Sequence, residues 1–150
     1  MTINQTRFRE DFELLSSFGK TPNGGVNRPA FSTAHLAARG WIKDRAQQAG
    51  LEVRQDTAGN LIIRYASSSR TARTLILGSH LDSVPYGGKY DGALGVLAAL
   101  EVLRVLKENN ITLPIHLEAI DFSDEEGTLV SFLGSFAMSG KLRSIDLQNP

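Results

Sequence analysis

Between Thr74 and Phe122 the chain sets out a short apolar run, a Gly-rich loop, a long apolar helical pattern and a second apolar run, in that order. Thr74-Leu75-Ile76-Leu77 lacks polar alternation, which predicts a strand covered on both faces. From about Asp91 to Asn109 apolar residues occupy most sides of the first half, so this helix should be well buried. Pro114 ends the connection, and residues 115–122 read as the next strand. A strand, a long helix and a strand imply a parallel pair with a right-handed crossover. The expected class is α/β, with a mixed, mainly parallel sheet flanked by helices.

The remaining segments fit around that unit. Phe8, Phe12 and Leu15 recur at helical spacing until Gly19. A second helix opens at Ser32 or Thr33, carries the stripe Ala34, Ala37, Ala38, Trp41, Ile42, Ala46 and Ala49, and stops before Gly50. Residues 51–55 and 60–65 read as two strands joined by Asp56-Thr57-Ala58-Gly59, and residues 131–139 as a short helix. At 150 residues the chain suits one domain. Sixteen basic and sixteen acidic side chains balance, which argues against nucleic-acid binding. Without cysteine there is no disulfide, thiol nucleophile or thiolate metal site, as in a cytoplasmic protein. The start lacks a secretory apolar core, and no apolar stretch approaches the ~20 residues of a membrane span.

Chemistry-bearing side chains gather at two places, each directly after a predicted strand. One is Gly78-Ser79-His80-Leu81-Asp82-Ser83-Val84-Pro85 with Gly87-Gly88-Lys89-Tyr90-Asp91-Gly92; the other is Asp121-Phe122-Ser123-Asp124-Glu125-Glu126-Gly127. Ligands bind at the carboxyl ends of strands in open α/β sheets. If the two strands are neighbours, His80, Asp82, Asp91, Glu125 and Glu126 share one rim. Four carboxylates with only Lys89 nearby would repel one another unless a cation compensates them, and a divalent metal does so economically. Each has an ordinary alternative: His80 as a buried core histidine, Asp91 as a helix N-cap, Glu125 and Glu126 as a solvated turn. Their joint placement at two strand ends favours the metal. Asp82, two residues from His80, can reach the imidazole and fix its tautomer. Of Glu125 and Glu126, one can hold metal while the other faces substrate as a base. His35 and His116 lack such company and read as structural, and Trp41 reads as core. No G-x-S-x-G, P-loop or dinucleotide fingerprint is present.

These segments, above all Gly87-Gly88-Lys89-Tyr90-Asp91-Gly92-Ala93-Leu94-Gly95-Val96 and Asp124-Glu125-Glu126-Gly127, resemble the M20 metallopeptidase-like amidohydrolases. The branch they look like is that of the N-carbamoyl-L-amino-acid hydrolases and allantoate amidohydrolases. Gly24-Gly25-Val26, Phe31-Ser32, Ala49-Gly50-Leu51-Glu52-Val53 and Asp56-Thr57-Ala58-Gly59-Asn60-Leu61 extend the likeness across nearly the whole chain. The resemblance implies a zinc-exopeptidase-like catalytic domain and two divalent metal ions, zinc, manganese, cobalt or nickel. It implies that His80 binds one ion, Asp91 bridges both, Glu126 holds the second, Glu125 is the general acid/base and Asp82 orients His80. The implied reaction is hydrolysis of a linear C–N bond in a small N-carbamoyl or ureido substrate. The alternatives are an M20 aminoacylase or dipeptidase, and a non-catalytic module.

Proteins of this type are more than twice as long, and the resemblance places further metal ligands, substrate-gripping groups and a dimerising lid domain in their later half. Residues 1–150 are thus expected to be the N-terminal part of a catalytic domain, inactive or nearly so alone, from a homodimeric parent. The stretch Asp146-Leu147-Gln148-Asn149-Pro150 reads as a break within that domain.

Overall fold

The computed structural model describes residues 2–148, so Asn149 and Pro150 at the expected break lie outside the described residues. The elements run α1 (Gln5–Ser17), α2 (Thr33–Gln48), β1 (Glu52–Gln55), β2 (Leu61–Tyr65), β3 (Thr74–His80), α3 (Ala93–Glu108), β4 (His116–Phe122) and α4 (Leu133–Met138), with a 3-10 turn at Ser144–Leu147. Helix starts follow their side-chain caps. Asn4 accepts the Arg7 N–H at 3.0 Å, and Ser32 accepts the His35 N–H at 3.2 Å.

The four strands form one sheet in the order β1-β2-β4-β3. The sheet is mixed, as expected, but among the described strands only β3–β4 is parallel; β1–β2 and β2–β4 are antiparallel. The short loop between β1 and β2 favours a hairpin, and β2 then lies against β4 rather than joining a parallel series. The β3–β4 register runs from Thr74 opposite His116 to His80 opposite Phe122. Both strands therefore end at the same level, and the loops that follow emerge side by side.

Alternation along β2 and β4 turns Leu61, Ile63, Leu117 and Ala119 to one face, where they join Leu15, Ile42, Val96, Leu97, Leu100 and Leu103 in a single core. α3 is buried along most of its length, as its composition predicts. Two expectations change. β3 is not covered on both faces: it lies at the sheet edge, and Leu75 and Ile76 are 50% and 42% exposed. An apolar run reports composition, not which neighbours a strand receives. On α2 the buried face is His35, Ala38, Arg39, Ile42 and Ala46, whereas Ala37 is exposed. Arg39 is drawn inward by Asp121, and the His35 ring accepts the Phe31 N–H, two polar attractions that an apolar stripe cannot register. Among the described residues no helix is long and apolar enough to cross a membrane.

Candidate metal centre

His80 is the last residue of β3, and its ring orientation is set from two sides. Its Nδ1 lies 3.0 Å from the Asp82 backbone carbonyl, which makes Nδ1–H the donor and leaves Nε2 as the lone-pair nitrogen. Gly92 closes the other side with φ of +62°, where a Cβ would come within 2.5 Å of His80 Cε1 and its carbonyl oxygen. Gly92 also caps α3, so Asp91 is not the N-cap and its carboxylate, 69% exposed, is not spent on the helix. Asp91 Oδ1 stands 4.0 Å from His80 Nε2. Glu126 brings a third donor: one ligand atom each from His80, Asp91 and Glu126 falls within 4.8 Å of the others.

Asp82 acts differently from its expected part. Its carboxylate is 3.7 Å from His80 Nδ1, beyond hydrogen-bond reach, and the tautomer is fixed by its backbone oxygen instead. The buried carboxylate accepts the backbone N–H of Glu126 at 3.0 Å and of Glu125 at 3.4 Å. Asp82 thereby ties the β3 loop to the β4 turn that carries both glutamates. Asp124, with φ of +52°, accepts the N–H groups of Thr128, Leu129 and Val130 and shapes the loop beyond.

The donor set suits a divalent cation. Burial pushes the Glu126 carboxyl above its usual range, and Asp91 and Asp82 push it further, against the opposing pull of His80. Lys89, the one cation in these segments, is turned away: it pairs with Glu13 at 3.5 Å and sits over the stacked rings of Phe12 and Tyr90. One imidazole nitrogen and two carboxylates within a few ångströms match the oxygen and nitrogen ligands that such metals take.

Glu125 does not join the three donors. It lines a cleft of about 410 Å³ with Gly78, Ser79, His80, Phe122, Glu126 and Phe132. All five residues singled out from the sequence therefore meet at one rim, three as donors, one facing the cleft and one buried beneath.

Several supporting residues were given no role from the sequence. Arg28 is fully buried and donates to the carbonyls of Leu81 and Leu15, and its own N–H donates to Ser83 Oγ, fixing the loop after His80. It lies in a stretch whose Gly and Pro content marks only a loop. Asp121, one position before the β4 end, accepts the Leu81 N–H at 2.8 Å and lies 2.8 Å from Arg39 Nε, out of line for a hydrogen bond at that oxygen. Burial outweighs both partners and raises it to about 6.

Against known proteins, a family model described as Peptidase family M28 matches residues 60–146. An N-carbamoyl-L-amino-acid amidohydrolase from Pseudomonas sp. (strain NS671) is 37% identical over 150 residues, covering 99% of this chain and 36% of that protein. An allantoate amidohydrolase from Bacillus subtilis (strain 168) is 36% identical over 140 residues, covering 92% of this chain and 34% of that one. Among solved structures, a hydantoinase/carbamoylase family amidase from Burkholderia ambifaria superposes with a TM-score of 0.91 at 35% identity, over 96% of this chain and 36% of that one. The chain spans about a third of the length of the curated relatives it matches. The branch expected from the motifs is the branch of these relatives, but the matching family model is M28 where the motifs suggested M20. His-x-Asp and Glu-Glu are superfamily features and do not separate the two. With that model covering more than half of its residues, the chain belongs to peptidase family M28, beside the hydantoinase/carbamoylase amidases.

Proposed function

We propose that this chain carries the metal centre and general base of a hydrolase that cleaves linear C–N bonds in N-carbamoyl-L-amino acids or in ureido compounds such as allantoate. The observation that carries the reading is the convergence of His80, Asp91 and Glu126 within 4.8 Å beside a cleft lined by Glu125. The names of the relatives supply the substrate class. His80 would hold one of two divalent ions, zinc, manganese, cobalt or nickel, Glu126 would hold the other, and Asp91 would serve both. Metal bound by these residues would supply Lewis-acid charge for the substrate carbonyl. Glu125 accepts the proton of the attacking water and returns it to the departing nitrogen. Asp82 keeps both glutamates in register with His80 through their backbone N–H groups. An N-carbamoyl amino acid would yield the amino acid, carbon dioxide and ammonia.

The activity belongs to a protein of the relatives' length, working on a small molecule as a homodimer in the cytoplasm, with no nucleic-acid or membrane partner. A peptidase or aminoacylase reading stands second, favoured by the description of the matched family. Hydrolysis of N-carbamoyl amino acids and allantoate, measured against N-acyl amino acids and dipeptides in the longest form carrying this chain, separates the two. Glu125→Gln should lower turnover by at least about a hundredfold with bound metal retained. Undiminished turnover in that variant would remove Glu125 from the mechanism.

A further inference from the structure

Glu125 is not left to rotate in its cleft. On α4, Ser135 Oγ lies 2.9 Å from Glu125 Oε2 and 3.2 Å from the Phe132 carbonyl oxygen. One hydroxyl proton serves one acceptor well, and the carboxylate is both nearer and charged. Among the described residues Oε1 has no hydrogen bond, so the two oxygens of this cleft-lining carboxylate differ: one is tethered and the other is free.

The tether depends on how α4 is docked. Of this six-residue helix only Gly134 is buried, so a glycine does the docking. A Cβ at buried Gly134 would overlap Asn60 Oδ1 and lie 2.5 Å from the Ser123 nitrogen. Its absence lets the Gly134 N–H donate to the Ser123 carbonyl at 2.8 Å. The fully buried Asn60 side chain then donates to the Gly134 carbonyl at 3.1 Å and accepts the Ser123 N–H at 2.9 Å. Its amide also donates to Asp56 Oδ2 at 2.8 Å, which roots the arrangement in the β1–β2 turn. Ser135 is therefore fixed from Ser123, just past the end of β4 and two residues before the glutamate that it holds.

We infer that Ser135 is a positioning residue for the general base: its hydroxyl holds Glu125 Oε2 so that Oε1 faces the attacking water. The inference rests on the reading of Glu125 as the base. A base held in one rotamer spends no free energy on orientation at the moment of proton transfer, and partners of this kind change activity by about 10- to 100-fold when removed.

The test uses Ser135→Ala and Ser135→Thr, alone and in the Glu125→Gln background. In the longest form carrying the chain, Ser135→Ala should lower kcat for the N-carbamoyl substrate by about 10- to 100-fold, with KM, metal content and Tm little changed. Ser135→Thr, which keeps the hydroxyl, should recover most of that loss. In the Glu125→Gln background the same change should add nothing, because the effect passes through Glu125. Crystal structures of the 150-residue chain give a readout without turnover: Glu125 should hold one rotamer in the parent and lose it in Ser135→Ala. A kcat within twofold of the parent, an unchanged Glu125 rotamer, or parallel loss of metal and Tm would each overturn the inference. If the parent cleaves no C–N substrate, the proposed activity fails and this catalytic role fails with it. An active parent that tolerates Ser135→Ala sinks the positioning role alone.

Discussion

His35 is fully buried on α2, its Nδ1 accepts the Phe31 N–H at 2.8 Å, and its Nε2 has no hydrogen-bond partner among the described residues. Burial, with Arg39, Arg28 and His80 adding repulsion, lowers its pKa to about 3. The ring thus stays neutral in the fold while the unfolded chain takes up a proton below about 6.5, so its contribution to stability falls as pH drops from about 6.5 towards 3. Relative to a His35→Asn variant, which keeps an acceptor for Phe31, the parent should lose about 1.4 kcal/mol per pH unit through that window. Urea unfolding of both proteins at pH 7, 6, 5 and 4 measures the difference, and a constant gap would refute the assignment. Asp121 works in the opposite sense, because its raised pKa of about 6 lets the native state bind a proton before the unfolded chain does. At this scale the sequence showed which chemistry-bearing side chains meet: His80, Asp91, Glu125 and Glu126 converge at one rim. It hid what depends on a long-range meeting. Ser135 reaches Glu125 only because Gly134 admits α4, and Asp82 holds the glutamates through backbone groups that no side-chain pattern marks.

Between elements, charge joins α1 to α3. Arg104, buried on α3, donates to Asp11 on α1, while Arg7 pairs with Glu101 at 2.7 Å and with Glu108. These pairs differ in environment. Asp11→Ala would leave the Arg104 guanidinium buried with only Glu101, 3.6 Å away, and should cost about 3 kcal/mol. Glu108→Ala, at an exposed site, should cost less than about 1 kcal/mol. Denaturant midpoints of the two variants check the ordering, and equal losses would show that burial does not set the value of these pairs. The helices and strands were legible because apolar spacing and caps are local. The inward turn of Arg39 and the half-exposed edge of β3 were not, since both depend on elements distant in sequence.

For the whole molecule, the decisive feature is the parallel β3–β4 pair, whose ends coincide at His80 and Phe122. That register converts two separated motifs into one rim, and Asp91, in the loop between β3 and the start of α3, stands at the same rim. The neighbouring strand ends and the crossover could be inferred from the sequence, whereas the antiparallel hairpin alongside β4 could not, because local pattern does not set strand order. Everything functional follows from the proposal that His80, Asp91 and Glu126 hold divalent metal. Calorimetric titration of the metal-free 150-residue chain with Mn²⁺ or Zn²⁺, beside His80→Ala and Asp91→Ala, tests it most directly. The account predicts saturable binding by the parent, weakened at least about tenfold in each variant. A parent that binds no metal, or variants that bind as well as the parent, would contradict it.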